Sequence, residues 1–205
     1  MTRQAARGTL GWVEGAALDG LVTRLLAMSP FDYRVAADDS ERALAYRLRG
    51  RTVLDRGWAR PEDLPDRQEH DEYDSSAVQV IGWDGDRPMC TGRLVFPPVL
   101  PTERACGIVV EPRGRVVDVG RMCVARSHQS RQHAAFLGLM CHLYLQTRAH
   151  GYAVACGMMS APACALVRYL GLELEILGPE RRYWNEARYP VRFELLTDLA
   201  TMSAP

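Results

Sequence analysis

The stretch "VVDVGRMCVARSHQSRQHAAFLGLMCHLYLQTRAHGYAVACGMM", residues 116–159, carries the pattern from which the fold is read. Its first nine positions, 116–124, are rich in valine and read as a strongly β-type run. Phe136, Leu139, Met140, Leu143 and Tyr144 then recur at helical spacing, and Gly151 marks the helix stop. "YAVACGMM", 152–159, is a second, buried strand. Strand, helix and strand in this order form a right-handed crossover that lays the two strands parallel.

Upstream, residues 16–28 place Leu18, Leu21, Val22, Leu25 and Leu26 on a helical period that ends before Ser29-Pro30. "FDYRVA", 31–36, reads as a short strand, and a helix follows from an N-cap at Asp39 or Ser40 to about Arg56. A Pro- and Asp-rich loop covers 59–70. Alternation over Ala77–Trp83, a turn at Asp84-Gly85-Asp86 and a returning run Met89–Phe96 predict a hairpin. "PPVLPTERACGIVVEPRGR", 97–115, reads as a long connection. Downstream, "APACALVRYLGL" is a short helix closed by Gly171, and "ELEIL" and "YPVRFEL" are terminal strands. The order of elements fits an α/β (α+β) sandwich with a mixed sheet. No repeat, low-complexity tract or linker divides the chain.

The 205 residues are 47% apolar, enough for one sizeable core. A formal net charge of +0 provides no global field for nucleic acid. All 25 Lys-or-Arg positions are arginine, a bias that genome composition explains, although only arginine forms a fork with a carboxylate. The cysteines, at 90, 106, 123, 141, 156 and 164, show neither C-x-x-C nor zinc spacing, so no metal site is expected. Several sit in apolar runs, as reduced, buried thiols do, which points to a cytoplasmic protein without disulfides. Glu14 and Asp19 interrupt the region where a signal peptide is apolar, and no run is long enough for stable membrane insertion.

"EHDEYD", 69–74, crowds carboxylates just before the hairpin. Such a run is either a solvated loop or a set of partners for cations elsewhere. Arg93 and Arg121 lie in β runs with mostly apolar neighbours, and half-buried cations there need partners. Taken in order, "YRLRGRTVLDRGW", "EHDEYD", "CTGRLV" and "VVDVGRMCV" resemble the acyl-homoserine-lactone (autoinducer) synthases and the related long-chain N-acyl amino acid synthases. Both groups have the GNAT acyltransferase fold, an αβα sandwich with a mixed, mostly antiparallel twisted sheet. The resemblance spans about residues 31–196, and it implies a domain over 31–205 preceded by a helical extension over 1–30.

Carried over position by position, it assigns Arg49, Trp58, Asp71, Asp74 and Arg93 to substrate binding, with Asp118 and Arg121 on the central strand. The carboxylates and the strand arginines are expected to form a charged cluster beside an amine-acceptor pocket. Some positions depart from the autoinducer-synthase pattern. Val53 stands where a phenylalanine is usual, the spacing to Trp58 is one residue shorter, and Asp118 replaces a glutamate. These changes lie on the acceptor side and favour an amino acid over S-adenosylmethionine. An arginine, Arg93 or Arg121, is expected to clamp the acceptor carboxylate.

Amide formation from a thioester needs a deprotonated amine, a stabilised oxyanion and a leaving thiol. Asp118 is the candidate to stand near the amine, or else is a structural partner of Arg121 or Arg93. Backbone N–H groups around Met122, Cys123 and Val124 are candidates to hold the thioester oxygen. Cys123 itself is either a nucleophile or a small buried hydrophobe. Phe136, Leu139, Met140, Leu143, Val154 and Met158 are candidates for an acyl-chain pocket, or plain core.

The turn "ARSHQSRQHAAF" lacks the glycines that acetyl-CoA-using members of the fold place around a pyrophosphate. Arg126, His128, Arg131 and His133 instead offer a cationic surface suited to an acyl carrier protein. The resemblance thus implies no resident cofactor, the acyl thioester on the carrier's phosphopantetheine being a substrate. The leading expectation is an N-acyltransferase making N-acyl amino acids. The alternatives are an acyl-homoserine-lactone synthase and an inactive acyl-carrier- or lipid-binding module.

Overall fold

The computed structural model describes residues 18–169, 174–183 and 185–195. Helix α1 covers 18–27. After it come β1 (Asp32–Val35), α2 (Asp39–Asp55), β2 (Val78–Asp84), β3 (Arg87–Val95), α3 (Pro101–Cys106) and β4 (Val116–Val124). The chain continues through α4 (Gln132–Ala149), β5 (Val154–Met159), α5 (Ala161–Tyr169), β6 (Leu174–Ile176), β7 (Arg181–Tyr183) and β8 (Glu186–Glu194). The strands form one mixed sheet in the order β1-β2-β3-β4-β5-β8-β6, with β7 paired to β8 alone. Of these pairings β4–β5 is parallel and the rest are antiparallel. This is the GNAT-like sandwich that the sequence predicts.

Period-two alternation sorts the side chains between two faces. Val80, Leu94 and Val117 pack with α1, α4 and α5 in the main core. Ile81 packs with Ala45 of α2, and Val116 packs with Leu100 and Val110 around α3. One face therefore carries α2 and α3, the other α1, α4 and α5. A Cβ on Gly138 would overlap the Tyr33 ring, so α4 lies close over β1. Asp19 ties α1 to α4 by accepting from the Tyr144 hydroxyl at 2.5 Å and from Arg148 Nη2 at 3.3 Å.

Three local expectations need correction. The cap of α2 is Asp38, whose carboxylate accepts from the Glu41 N–H at 2.9 Å, one residue before the two candidates. The connection after β3 contains α3, with Pro101 at its first position and Gly107 as a left-handed C-cap at φ 65°. The last strand begins at Glu186 and pairs first with β7, a strand of three residues that alternation does not reveal. Gly171, the expected helix stop, lies outside the described residues.

Two features of β4 shape the middle of the sheet. It pairs with β5 only from Val116 to Asp118, and beyond that β5 pairs with β8 alone, so β4 and β5 part. It also carries a bulge: Thr91 faces Cys123 and Arg93 faces Gly120, leaving two β4 residues opposite Gly92. Within the bulge Arg121 has φ 53°, a conformation L-residues seldom adopt.

Candidate active site

The bulge explains a spacing that regular alternation forbids. Asp118 and Arg121 are three positions apart, so in an ideal strand they would face opposite sides of the sheet. The extra residue brings both to the α2–α3 face. Arg121 there meets the carboxylates ahead of β2 instead of the apolar α4 core.

Arg49 reaches inward from α2, 2% exposed, and forks onto Asp74, with Nη1–Oδ1 2.9 Å and Nη2–Oδ2 2.7 Å. Its Nη2 also donates to the Glu69 carbonyl at 2.6 Å, and its Nε lies 2.7 Å from Glu69 Oε2. The loop comes this close because Gly50 has no side chain: a Cβ there would overlap the Arg67 carbonyl. Arg93, also 2% exposed, forks onto Asp71 and lies 3.0 Å from Asp74 Oδ1. Arg121 donates through Nη2 to Asp71 Oδ2 at 2.8 Å and through Nη1 to the Tyr183 hydroxyl at 2.7 Å. Its Nε lies 2.9 Å from Glu69 Oε1. Gln79 completes the set by donating to Asp74 Oδ1 at 2.7 Å.

Three guanidinium groups, Arg49, Arg93 and Arg121, thus meet three carboxylates, Glu69, Asp71 and Asp74, with no net charge. Desolvating six charges is costly, and mutual attraction offsets that cost only with nearly complete hydrogen bonding. Burial alone would raise the Asp74 carboxyl, but the Arg49 fork and the Arg93 charge hold it well below the usual carboxylate range. Burial opposes the Arg93 charge in turn, and Asp71 and Asp74 outweigh it, holding the guanidinium above its usual value.

"EHDEYD" divides accordingly. Asp71 and Asp74 belong to the cluster, whereas Glu72 points to solvent and pairs with the exposed Arg104. Glu69 was not singled out by sequence, yet it joins α2 to β4. Arg93 and Arg121, the expected carboxylate clamps, both donate to Asp71 and also border the cleft above the cluster.

Above the cluster a cleft of about 270 Å³ crosses the sheet where β4 and β5 part. Arg49, Val53, Trp58 and Asp118 line it from one face, Phe136 and Met159 from the other. Cys123 lines it as well, and burial pushes its thiol up to about 11, so it is a protonated small hydrophobe at neutral pH. Asp118 is bonded to neither arginine. Its Oδ2 accepts the Thr102 N–H of α3 at 2.7 Å and the Cys156 thiol at 3.7 Å. Burial raises its carboxyl above the usual range, against the opposing pull of Thr102.

The hairpin β7–β8 closes the cleft with Tyr183, Glu186 and Arg188. Sequence reasoning missed all three because β7 was not anticipated. The Arg56 and Arg188 guanidinium carbons lie 4.9 and 5.4 Å from the centre of the Trp58 ring.

The acyl-pocket candidates separate. Phe136 and Met158 line the cleft, while Met140 and Leu143 line a second cavity of about 130 Å³ under α1. Val119, Met122 and Met159 line both. Leu139 is fully buried core, and Val154 packs with Val116 and Leu100 beside α3. At the expected carrier surface Arg126 and His133 are exposed. His128 and Arg131 turn back to Asp84, at 3.1 and 3.4 Å, and Arg131 also covers Phe31.

No protein-family model and no curated protein sequence matches the chain. Solved structures match in fold. The acyl-homoserine-lactone (AHL) synthase LasI superposes with a TM-score of 0.69 at 16% identity, over 84% of this chain and 94% of LasI. FeeM, an N-acyl amino acid synthase from uncultured soil microbes, gives 0.61 at 15%, over 85% and 98%. BjaI, a CoA-dependent acyl-homoserine lactone synthase seen with SAM and isopentyl-CoA, gives 0.63 at 18%, over 85% and 90%.

Proposed function

We propose that the protein is an N-acyltransferase that moves a fatty acyl group from an acyl carrier protein thioester to the α-amine of an amino acid. The observation that carries this reading is the neutral Arg49–Arg93–Arg121 and Glu69–Asp71–Asp74 cluster beneath a cleft where β4 leaves β5. A rigid, charge-balanced floor orients a polar acceptor without itself competing for the amine. The strand gap frees backbone groups of β4 next to it.

The residues divide the chemistry as follows. Asp118, whose carboxyl is raised above the usual carboxylate range by burial, takes one proton from the acceptor ammonium. The neutral amine attacks the thioester carbon, and β4 N–H groups around Met122–Val124 hold the oxyanion. Collapse breaks the C–S bond, and the departing thiolate takes the second amine proton to leave as a thiol. The chain extends past Phe136 towards Met122 and Met159. Arg126 and His133 stand at the outer edge, where an acidic carrier protein would dock.

S-adenosylmethionine as acceptor, with lactonisation to follow, is the second reading, supported by the fold match to the acyl-homoserine lactone synthase BjaI, seen with SAM. Purified protein is given acyl carrier protein or CoA thioesters together with a mixture of amino acids and S-adenosylmethionine, and products are read by mass. N-acyl amino acids formed from the carrier thioester are expected. A dominant acyl-homoserine lactone would promote the second reading. Equal turnover with acyl-CoA would overturn the carrier assignment, and absence of any product would leave the binding-module alternative.

A further inference from the structure

We infer that Arg188, on the β7–β8 hairpin, is the group that binds the carboxylate of the amine acceptor, with Glu186 occupying that position until the acceptor arrives. This rests on the acyltransferase reading and deepens it, because it states which end of the acceptor the cleft recognises. The central cluster is charge-balanced: its three cations are already paired with its three anions. At the hairpin, by contrast, two cations, Arg56 and Arg188, share the single carboxylate of Glu186, each at 3.2 Å. One more anion would balance this mouth.

Arg188 is the better placed of the two. Its side chain is 21% exposed against 56% for Arg56, so a pair made there is less screened. Its Nε is buried and has no hydrogen-bond partner among the described residues, a vacancy that a second carboxylate oxygen fills. The guanidinium lies beside the Trp58 ring at 5.4 Å and the Tyr183 ring at 5.8 Å. These rings limit its movement at the cleft wall, where its Nη2 donates to Glu186. Since β8 alternates, Glu186 and Arg188 share one face, which lets the glutamate stand in for the ligand. The recognised chemistry is an α-carboxylate, common to amino acids and S-adenosylmethionine.

Calorimetric titration tests this without turnover, using two pairs of probes that differ only at the carboxyl: L-phenylalanine against L-phenylalaninamide, and S-adenosylmethionine against its decarboxylated form. The wild-type protein should bind the carboxylate member of at least one pair roughly 10- to 100-fold more tightly, as expected for a charged hydrogen-bonded pair. Arg188→Gln should erase that preference, and Arg188→Lys should keep part of it. Glu186→Gln should tighten carboxylate binding several-fold by freeing the fork, an effect that a purely structural Glu186–Arg188 pair would not produce. Equal binding within both pairs, no binding of any probe, or a preference that survives Arg188→Gln would overturn the inference. Thiol release from the acyl donor, followed separately, reports on the acyltransferase reading itself, so the two failures are distinguishable.

Discussion

Replacing Asp74 with asparagine keeps the side chain's shape and removes one negative charge from the six-membered cluster. Asp74 is 3% exposed and faces the Arg49 fork, the Gln79 amide, the Asp71 N–H and Arg93. In Asp74→Asn two buried guanidinium groups, Arg49 and Arg93, would each lose one of their two carboxylate partners, and an amide N–H would be turned against one of them. Breaking a buried pair from one side costs about 3–5 kcal/mol. For a chain of this size that lowers the melting temperature by roughly 6–20 °C. Glu72→Gln is the internal control, two residues away but solvent-facing, and it should leave melting unchanged. Thermal unfolding followed by circular dichroism at several pH values is the assay.

The folded Asp74 carboxyl is held below its unfolded value. Its contribution is therefore complete above about pH 4 and is lost as pH falls through the depressed folded value. The gap between wild type and Asp74→Asn should narrow on that acidic limb. A variant that melts within a degree or two of wild type at pH 7, as Glu72→Gln does, would refute the claim that the cluster supports the fold.

Asp118→Asn should lower acyl transfer by on the order of 100-fold or more. It should be at least as stable as wild type at pH 8, with the advantage fading as acid protonates the wild-type carboxyl, because burial raises that group; retained turnover would exclude it as the base. Cys123→Ser should keep activity within a few-fold, and an acyl adduct on Cys123 seen by mass would contradict the protonated-thiol assignment. Met140→Trp fills the cavity under α1 and should shift the products towards shorter acyl chains, whereas an unchanged product profile would show that the chain does not enter there.

The sequence made the sheet legible wherever a strand has a long apolar signature. The crossover through α4 and the β2–β3 hairpin could be read because each spans several turns or pleats of consistent periodicity. The arginines of β3 and β4 could be assigned to Asp71 and Asp74 because buried cations demand partners. Short elements escaped that logic. Helix α3 is six residues long, and its signals, Pro101 and Gly107, are punctuation rather than periodicity. Without it Thr102 has no place near Asp118, and the sequence offers only arginines as structural partners for that carboxylate. Strand β7 has three residues, two of them exposed arginines, and with it went Tyr183 and Arg188. Glu69 lay in a polar loop where nothing in the local pattern separates a buried acid from a wet one.

If the cleft receives an activated acyl group as proposed, the exclusive use of arginine in the buried cluster has a chemical consequence. A lysine in place of Arg49, Arg93 or Arg121 could satisfy part of the charge requirement. Its primary amine, whenever deprotonated, would also be a nucleophile within reach of the thioester. A guanidinium stays protonated throughout the physiological range and has no free lone pair to offer. Because the chain contains no lysine at any position, no ε-amine anywhere on it can divert the acyl group onto the protein itself.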